Sequence, residues 1–505
     1  MPGEKHFLEQ AAGLAGLAAI SSLLGFAREI LIAGRFGASS LTDAYLVALS
    51  VPMLIYALFF GSGLNVSLVP RLSQLCQDDL HAAEKLFAQF ASAAALLSAA
   101  GSGVLWLFPS FFAHVFAPGM AGAAPTAHFV RVLSPLLFLL VLSFVVGSLH
   151  CARQQAQYWG LITAVQNGTL VVVLMTAVRA WGMRALLAGT IAGGLLALLV
   201  QLWAARGAGF HYRWANPFAS GEGRTALISL LPFALAFGVG GDYGTTQADI
   251  FLIRFFASRL PPGSITLLAL GNKLMALPVL FVGAALGLAL LPSLSRAAGA
   301  GDRVRTSRLL SAGLSYALLL VAPAAVIAFD LGGPLASLAF RRAALSGAQL
   351  RELGHILRCY SGAVIGMSLV FVLNSYLAAL RRTRCLIASG VCGVVLDAVL
   401  MNWLGHRYGA AGIAGAVSVG SLAYCCLMLA WSKDALAAVR WLMAERALVI
   451  AMGLLGMHLL FRCAGQLPSL AFAPIAQVLL PLAAGSTAYL AWVALLRHRL
   501  LLSTN

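Results

Sequence analysis

The sequence predicts an all-α polytopic membrane protein, and three observations carry that expectation. Hydrophobic residues make up 61% of the chain and charged residues 10%, with a mean hydropathy of +0.92. A soluble chain of that composition would expose apolar patches larger than soluble proteins carry. The apolar residues also come in unbroken runs such as Ala91 to Phe108, without the period-two alternation of barrel strands. In lipid a segment must satisfy its own backbone polar groups or close into a barrel, so these runs are helices.

Apolar runs of about 20 residues, separated by charged or Pro/Gly breaks, number about fourteen. Their centres fall near Ala18, Ile55, Ala95, Leu140, Val171, Leu195, Phe237, Val279, Leu319, Leu369, Val394, Leu422, Gly453 and Ala484. An even number puts both termini on one side. Loop Lys and Arg residues favour, by about two to one, the orientation with both termini cytoplasmic. The opening MPGEKHFLEQ and the apolar run after it imitate a signal peptide, but no clean cleavage region follows. The expectation is a first spanning helix. Pro52, Pro135, Pro232, Pro278 and Pro323 lie in or near spans, where such breaks let helices bend and pack closely.

Several function classes are excluded at this level. The net charge of +17 is scattered between apolar runs and forms no basic domain, so it reads as a topology signal and not as a nucleic-acid surface. Eight cysteines, among them Cys359, Cys385, Cys392, Cys425 and Cys426, lie mostly in or beside apolar segments without metal-ligand spacing, which reads as buried thiols and no metal or cofactor. The chain has no GxxxxGK[ST] motif for a nucleotide. A transport cycle would then draw on the membrane potential, a monovalent cation gradient or consumption of the product.

An internal repeat emerges at an offset of about 220 to 230 residues, where Leu68 to Ser73 (LVPRLS) recurs as Leu290 to Ser295 (LLPSLS). Pro52 and Pro278 precede the two copies, Ser148 to Arg153 overlies Ser375 to Arg381, and Trp203 overlies Trp431. Six spans per copy keep both copies in the same orientation. The expectation is two pseudo-symmetric six-helix lobes around a central cavity, residues 1–215 and 216–440, with two additional C-terminal helices in 441–505.

Within this apolar frame, Ser21 to Leu75 carries Arg28, Glu29, Arg35 and Asp43. A charge near the bilayer centre costs a few kcal/mol, so such residues face a bundle interior or water unless they sit near a helix end and snorkel to the headgroups. Arg28 lies about 17 residues into the first apolar segment, which favours an internal polar site. Asp242, Asp249 and Asp397 lie within or near second-lobe spans, where each carboxylate either binds a coupling cation or pairs with a base such as Arg254.

At Gly25 to Glu29 (GFARE), Phe36 to Ala48 (FGASSLTDAYLVA), LVPRLS and Leu277 to Arg296 (LPVLFVGAALGLALLPSLSR), the sequence resembles the MurJ/MviN family of lipid II flippases, within the multidrug/oligosaccharidyl-lipid/polysaccharide exporter superfamily. The resemblance implies a fourteen-helix protein of the bacterial inner membrane, active in peptidoglycan and cell-wall biogenesis and so in cell shape. Its two lobes would rock to carry an undecaprenyl-pyrophosphate-linked saccharide from the cytoplasmic to the periplasmic leaflet. Arg28 matches the arginine of the family's GFAR motif and Asp43 the acid of its TDA motif. Two other cavity arginines of the family fall on Ser22 and Tyr56, and a third falls on Lys273.

The resulting expectation is a flippase, not an enzyme, with membrane lipids as its surroundings and a monomeric state. Its substrate-binding residues would be Arg28, Lys273, Asp43, Glu29 and Tyr56, with Arg28 and Lys273 drawing in the pyrophosphate and Glu29 and Asp43 pairing with bases. Because pyrophosphate suits convergent basic donors, the arginines lost at Ser22 and Tyr56 leave an exopolysaccharide or O-antigen-like unit as an alternative cargo. A cation-coupled drug exporter and a membrane glycosyltransferase are the other classes. The latter needs acids or histidines in large aqueous loops, and the longest polar connections here hold few acids.

Overall fold

The computed structural model describes residues 2–60, 62–120, 124–153, 155, 157–207, 215, 242–341, 343–432, 447–465 and 476–495. Every regular element among them is helical. Nine helices of the described residues are long and apolar enough to cross a membrane. Each expected span centre lies on a helix except Phe237, which falls outside the described residues. The chain divides into two compact units, Met1–Gly263 and Ser264–Asn505.

The first unit runs α1 (Pro2–Phe36), α2 (Ser40–Phe60), α3 (Ser62–Asp78), α4 (Leu80–Leu107), α5 (Pro109–Phe116), a 3₁₀ turn (Pro118–Met120), α6 (Ala124–Leu133), α7 (Pro135–Ala152), α8 (Gln157–Thr176), α9 (Val178–Trp181), α10 (Met183–Gly207) and α11 (Asp242–Ala257). Local chemistry sets the breaks. The Asp79 carboxylate accepts the His81 and Ala82 N–H groups and starts α4. Pro109, which cannot donate, ends α4 and opens α5. In the middle of the unit α8 packs against α1 and α10, and α7 against α4 and α10.

The second unit runs α12 (Ser264–Pro278), a π-helical segment (Val279–Ala284), α13 (Ala285–Gly299), α14 (Arg303–Ala339), α15 (Gly347–Ala379), α16 (Thr383–Ala430), α17 (Ala447–Gly465) and α18 (Ala476–Leu495). The spans expected around Val394 and Leu422 form one helical stretch, α16, divided by Gly409 at φ +62°. Only a residue without a Cβ adopts that left-handed conformation readily.

The repeat read from the sequence recurs as repeated punctuation, each feature of the first unit returning about 225 residues later. Asp79 caps α4, and Asp302 caps α14 by accepting the Arg305 N–H. Non-helical Phe108 ends α4, and non-helical Leu331 kinks α14. Gly182 at φ +53° precedes α10, as Gly409 precedes the second half of α16.

One duplicated contact accompanies the breaks. Arg131 donates from Nε to the Trp106 carbonyl at 3.2 Å, with its guanidinium 5.6 Å from the Trp106 ring centre. Arg358 does the same at Phe329, at 3.0 Å and 5.8 Å. Trp106 and Phe329 each lie two residues before a break, so the arginine supplies a donor and a cation where the helix loses its own hydrogen bonds. Outside the repeat, α17 and α18 dock on the kink of α14 through Leu331, Met457, Phe461 and Tyr489. His458 Nδ1 also meets Asp330 Oδ2 at 2.8 Å.

Because each arginine is exposed, replacing Arg131 or Arg358 by leucine should cost about 1 kcal/mol of stability, with lysine recovering only part for lack of the Nε donor. Thermal unfolding of the purified protein measures this, and unchanged melting in both leucine variants contradicts the shared role.

Candidate functional site

Five helices of the first unit bring polar side chains into an otherwise apolar bundle. On α1, the Arg28 Nη1 donates to Asn167 Oδ1 at 2.9 Å, and Nη2 donates to the neighbouring carboxylate of Glu29 at 2.5 Å. The Asn167 amide on α8 donates from Nδ2 to the Ser21 carbonyl at 3.2 Å. Ser21 and Arg28 are two turns apart on one face of α1, so a single amide ties both turns to α8. The Arg28 and Glu29 side chains are only 21% and 12% exposed.

On α2, Tyr45 is 1% exposed and its hydroxyl meets Thr190 Oγ1 of α10 at 2.9 Å. Thr190 uses its own proton on the Leu186 carbonyl, so the tyrosine is the donor. From α11, Arg254 donates from Nη1 to the Leu46 carbonyl of α2 at 2.6 Å. Glu29, Tyr45 and Arg28 all lie within electrostatic reach of Arg254. Glu29 lies within electrostatic reach of both guanidinium groups. The Nε of Arg28 is buried and has no hydrogen-bond acceptor among the described residues.

Asp43, on α2, is 2% exposed. Its Oδ2 accepts the Gly263 N–H at 2.6 Å. Gly263 has φ +95°, and a Cβ there would meet the Ala38 carbonyl oxygen at 2.6 Å, so the turn before α12 needs a glycine. The carboxylate fixes a strained backbone turn 220 residues downstream of itself.

The other residues singled out by sequence lie elsewhere. Tyr56 is half-buried on α2, its ring edge-on to Phe144 at 5.4 Å, and Phe144 is in turn edge-on to Trp159 at 4.7 Å. Lys273 is half-buried on α12 of the second unit. Asp249 is half-buried on α11, while Asp242 opens that helix with its side chain outside the described residues. Asp397 is 8% exposed on α16, directly over Gly420, where any Cβ would overlap its carboxylate. Sequence reading passed over Asn167, Tyr45 and Thr190, and took Arg254 only as a base that could pair with a second-lobe aspartate. The available signal was an amide and an arginine inside apolar helices.

A profile described as "Lipid II flippase MurJ" matches residues 32–472. The chain belongs to the MurJ family. A relative from Burkholderia cenocepacia, "Lipid II flippase MurJ", is 27% identical over 432 residues, covering 81% of this chain and 80% of the relative. One from Thermotoga maritima, "Probable lipid II flippase MurJ", is 28% identical over 417 residues, covering 80% of each. Among solved structures, "Lipid II flippase MurJ, inward closed conformation" superposes with a TM-score of 0.81 at 17% identity, covering 96% of this chain and 98% of that one. A structure described as the inward-facing conformation of a multidrug resistance MATE family transporter of the MOP superfamily gives a TM-score of 0.68 at 12% identity, over 85% of this chain and 99% of that one. The MurJ fold is therefore shared over nearly the whole chain, and so is the polytopic character of a membrane transporter.

The Asp43 contact is testable by itself. Asp43→Ala should lower stability by about 1 to 3 kcal/mol, because it leaves a buried N–H unmet, and Asp43→Asn, which keeps an acceptor oxygen, should lose less. Equal melting temperatures for wild type and Asp43→Ala would remove the turn-holding role.

Proposed function

We propose that this MurJ-family protein is a lipid II flippase of the bacterial inner membrane, carrying a polyprenyl-diphosphate-linked saccharide from the cytoplasmic to the periplasmic leaflet by alternating access. The observation that carries the reading is family membership over residues 32–472 together with two half-buried arginines, Arg28 and Arg254, inside the apolar helices of the first unit. Placing positive charge in an apolar bundle is costly, and an anionic cargo is one way to relieve it. Binding of the cargo is useful only if its contacts differ between the two states of the cycle.

In this reading Arg28 contacts the diphosphate and Lys273 supplies a second cation from α12, with Glu29 and Tyr56 lining the path. Asp43 shapes it by holding the Gly263 turn. Asp249 and Asp397, with Asp242, offer carboxylates at membrane depth for a coupling cation, and the membrane potential is the other driving force. The lobes are residues 1–215 and 216–440, the added helices 441–505 offer an apolar surface to the polyprenyl tail, both termini are cytoplasmic, and the protein works as a monomer.

The direct test is flipping of a lipid-linked saccharide in vesicles. Arg28→Ala should abolish or nearly abolish transport while the protein stays inserted and abundant, since a charge-assisted phosphate contact contributes about 1.5 to 3 kcal/mol. Normal flipping by that variant makes Arg28 a structural residue. The topology is checked separately: reporters fused after Ser73 and after Arg499 should both signal the cytoplasm, and a periplasmic signal at either overturns the orientation.

A further inference from the structure

We propose that the cavity at the turn between α13 and α14 holds the phosphate of an anionic phospholipid, with Arg296 and Arg305 as its donors. The cavity has a volume of about 250 Å³ and is lined by Ser293, Arg296, Ala297, Ala300, Asp302 and Arg305. It lies within the second unit and is independent of the flippase reading.

The repeat provides an internal control for the charge at this turn. Each unit ends one helix and starts the next on an aspartate whose side chain accepts backbone N–H groups, Asp79 in the first and Asp302 in the second. Residues 71–85 carry Arg71 and Lys85 against Asp78, Asp79 and Glu84. The matching residues 293–308 carry Arg296, Arg303, Arg305 and Arg308 against Asp302 alone. The same turn thus forms on a slightly acidic sequence, so the four arginines are not needed to build it. Arg303 and Arg305 even stand in the first turn of α14, where the helix dipole disfavours bases.

That charge is also uncompensated. Among the described residues no ion pair engages any of the four arginines. Asp302, the one acid on the lining, spends Oδ1 on the Arg305 backbone N–H at 2.9 Å. Two arginines from different helices bordering one cavity, with a serine beside them, suit a phosphate, whose several oxygens accept from planar guanidinium forks. A lipid is the source that the surface favours. From the cavity's edge, exposed residues recur along α14 at multiples of four positions, Val304, Arg308, Tyr316 and Leu320, and so share one face. α14 is long and apolar enough to cross a membrane, and Tyr316 and Leu320 give acyl chains an apolar track that leads to the arginines. The plain alternative is that the arginines only mark the side of the membrane on which the turn lies.

The test titrates the full-length protein in neutral detergent with dihexanoyl phosphatidylglycerol, dihexanoyl phosphatidylcholine and inorganic phosphate by calorimetry, with melting temperature as the folding control. Wild type should bind phosphatidylglycerol about tenfold more tightly than phosphatidylcholine, and inorganic phosphate more weakly than either. Arg296→Gln and Arg305→Gln should each weaken phosphatidylglycerol binding roughly tenfold. Arg303→Gln removes the same charge from the same turn but not from the cavity lining, and should lose much less. Ala300→Leu keeps every charge and fills the cavity, so it should bind as poorly as Arg296→Gln. A loss in Arg303→Gln equal to that in Arg305→Gln reduces the effect to diffuse surface charge and overturns the site. Wild-type affinity in folded Ala300→Leu overturns the cavity as the place of binding. Inorganic phosphate that matches and displaces phosphatidylglycerol overturns the lipid as occupant. A folded wild type that does not distinguish phosphatidylglycerol from phosphatidylcholine leaves the arginines as a topology signal and overturns the proposal.

Discussion

The first unit depends on a requirement of charge burial: a guanidinium inside a lipid-embedded bundle must be surrounded by acceptors from its own protein. Arg28 is far along an apolar helix, and its desolvation is offset by Glu29 beside it and by the Asn167 amide from α8. That amide is committed at both ends, to Arg28 and to the Ser21 carbonyl, so its orientation is fixed by the network itself. The packing of α1 on α8 follows from this demand as much as from apolar contact. Lipid is as apolar as leucine, and helices in a bilayer gain little from burying leucine against leucine.

The repeat supplies a neutral frame on which such polar features are placed unevenly. Helix breaks recur at matched positions because prolines, glycines and capping aspartates recur there, and the Arg131–Trp106 contact has its twin in Arg358 and Phe329. The position after Phe329 is Asp330, whereas the position after Trp106 is Leu107. The extra charge exists only where α17 brings His458 to meet it. A carboxylate at membrane depth without such a partner is costly, so the added helices and Asp330 belong together.

How much of this was readable in the sequence depends on whether a feature is local. Span positions, helix breaks and the repeat are local, being written in runs of apolar residues and in Pro, Gly and Asp at turn positions. Arg28 was legible as an anomaly because a charge in an apolar run has few explanations. Its partner was not, since Asn167 is 139 residues away and nothing in either segment names the other. Asp43 announced itself as a buried charge, yet its acceptor role toward the Gly263 N–H involves a backbone group that carries no sequence signature. Arg254 was legible only as a base that could pair with a nearby aspartate. Its proximity to Glu29 and Arg28 is a property of the folded unit alone.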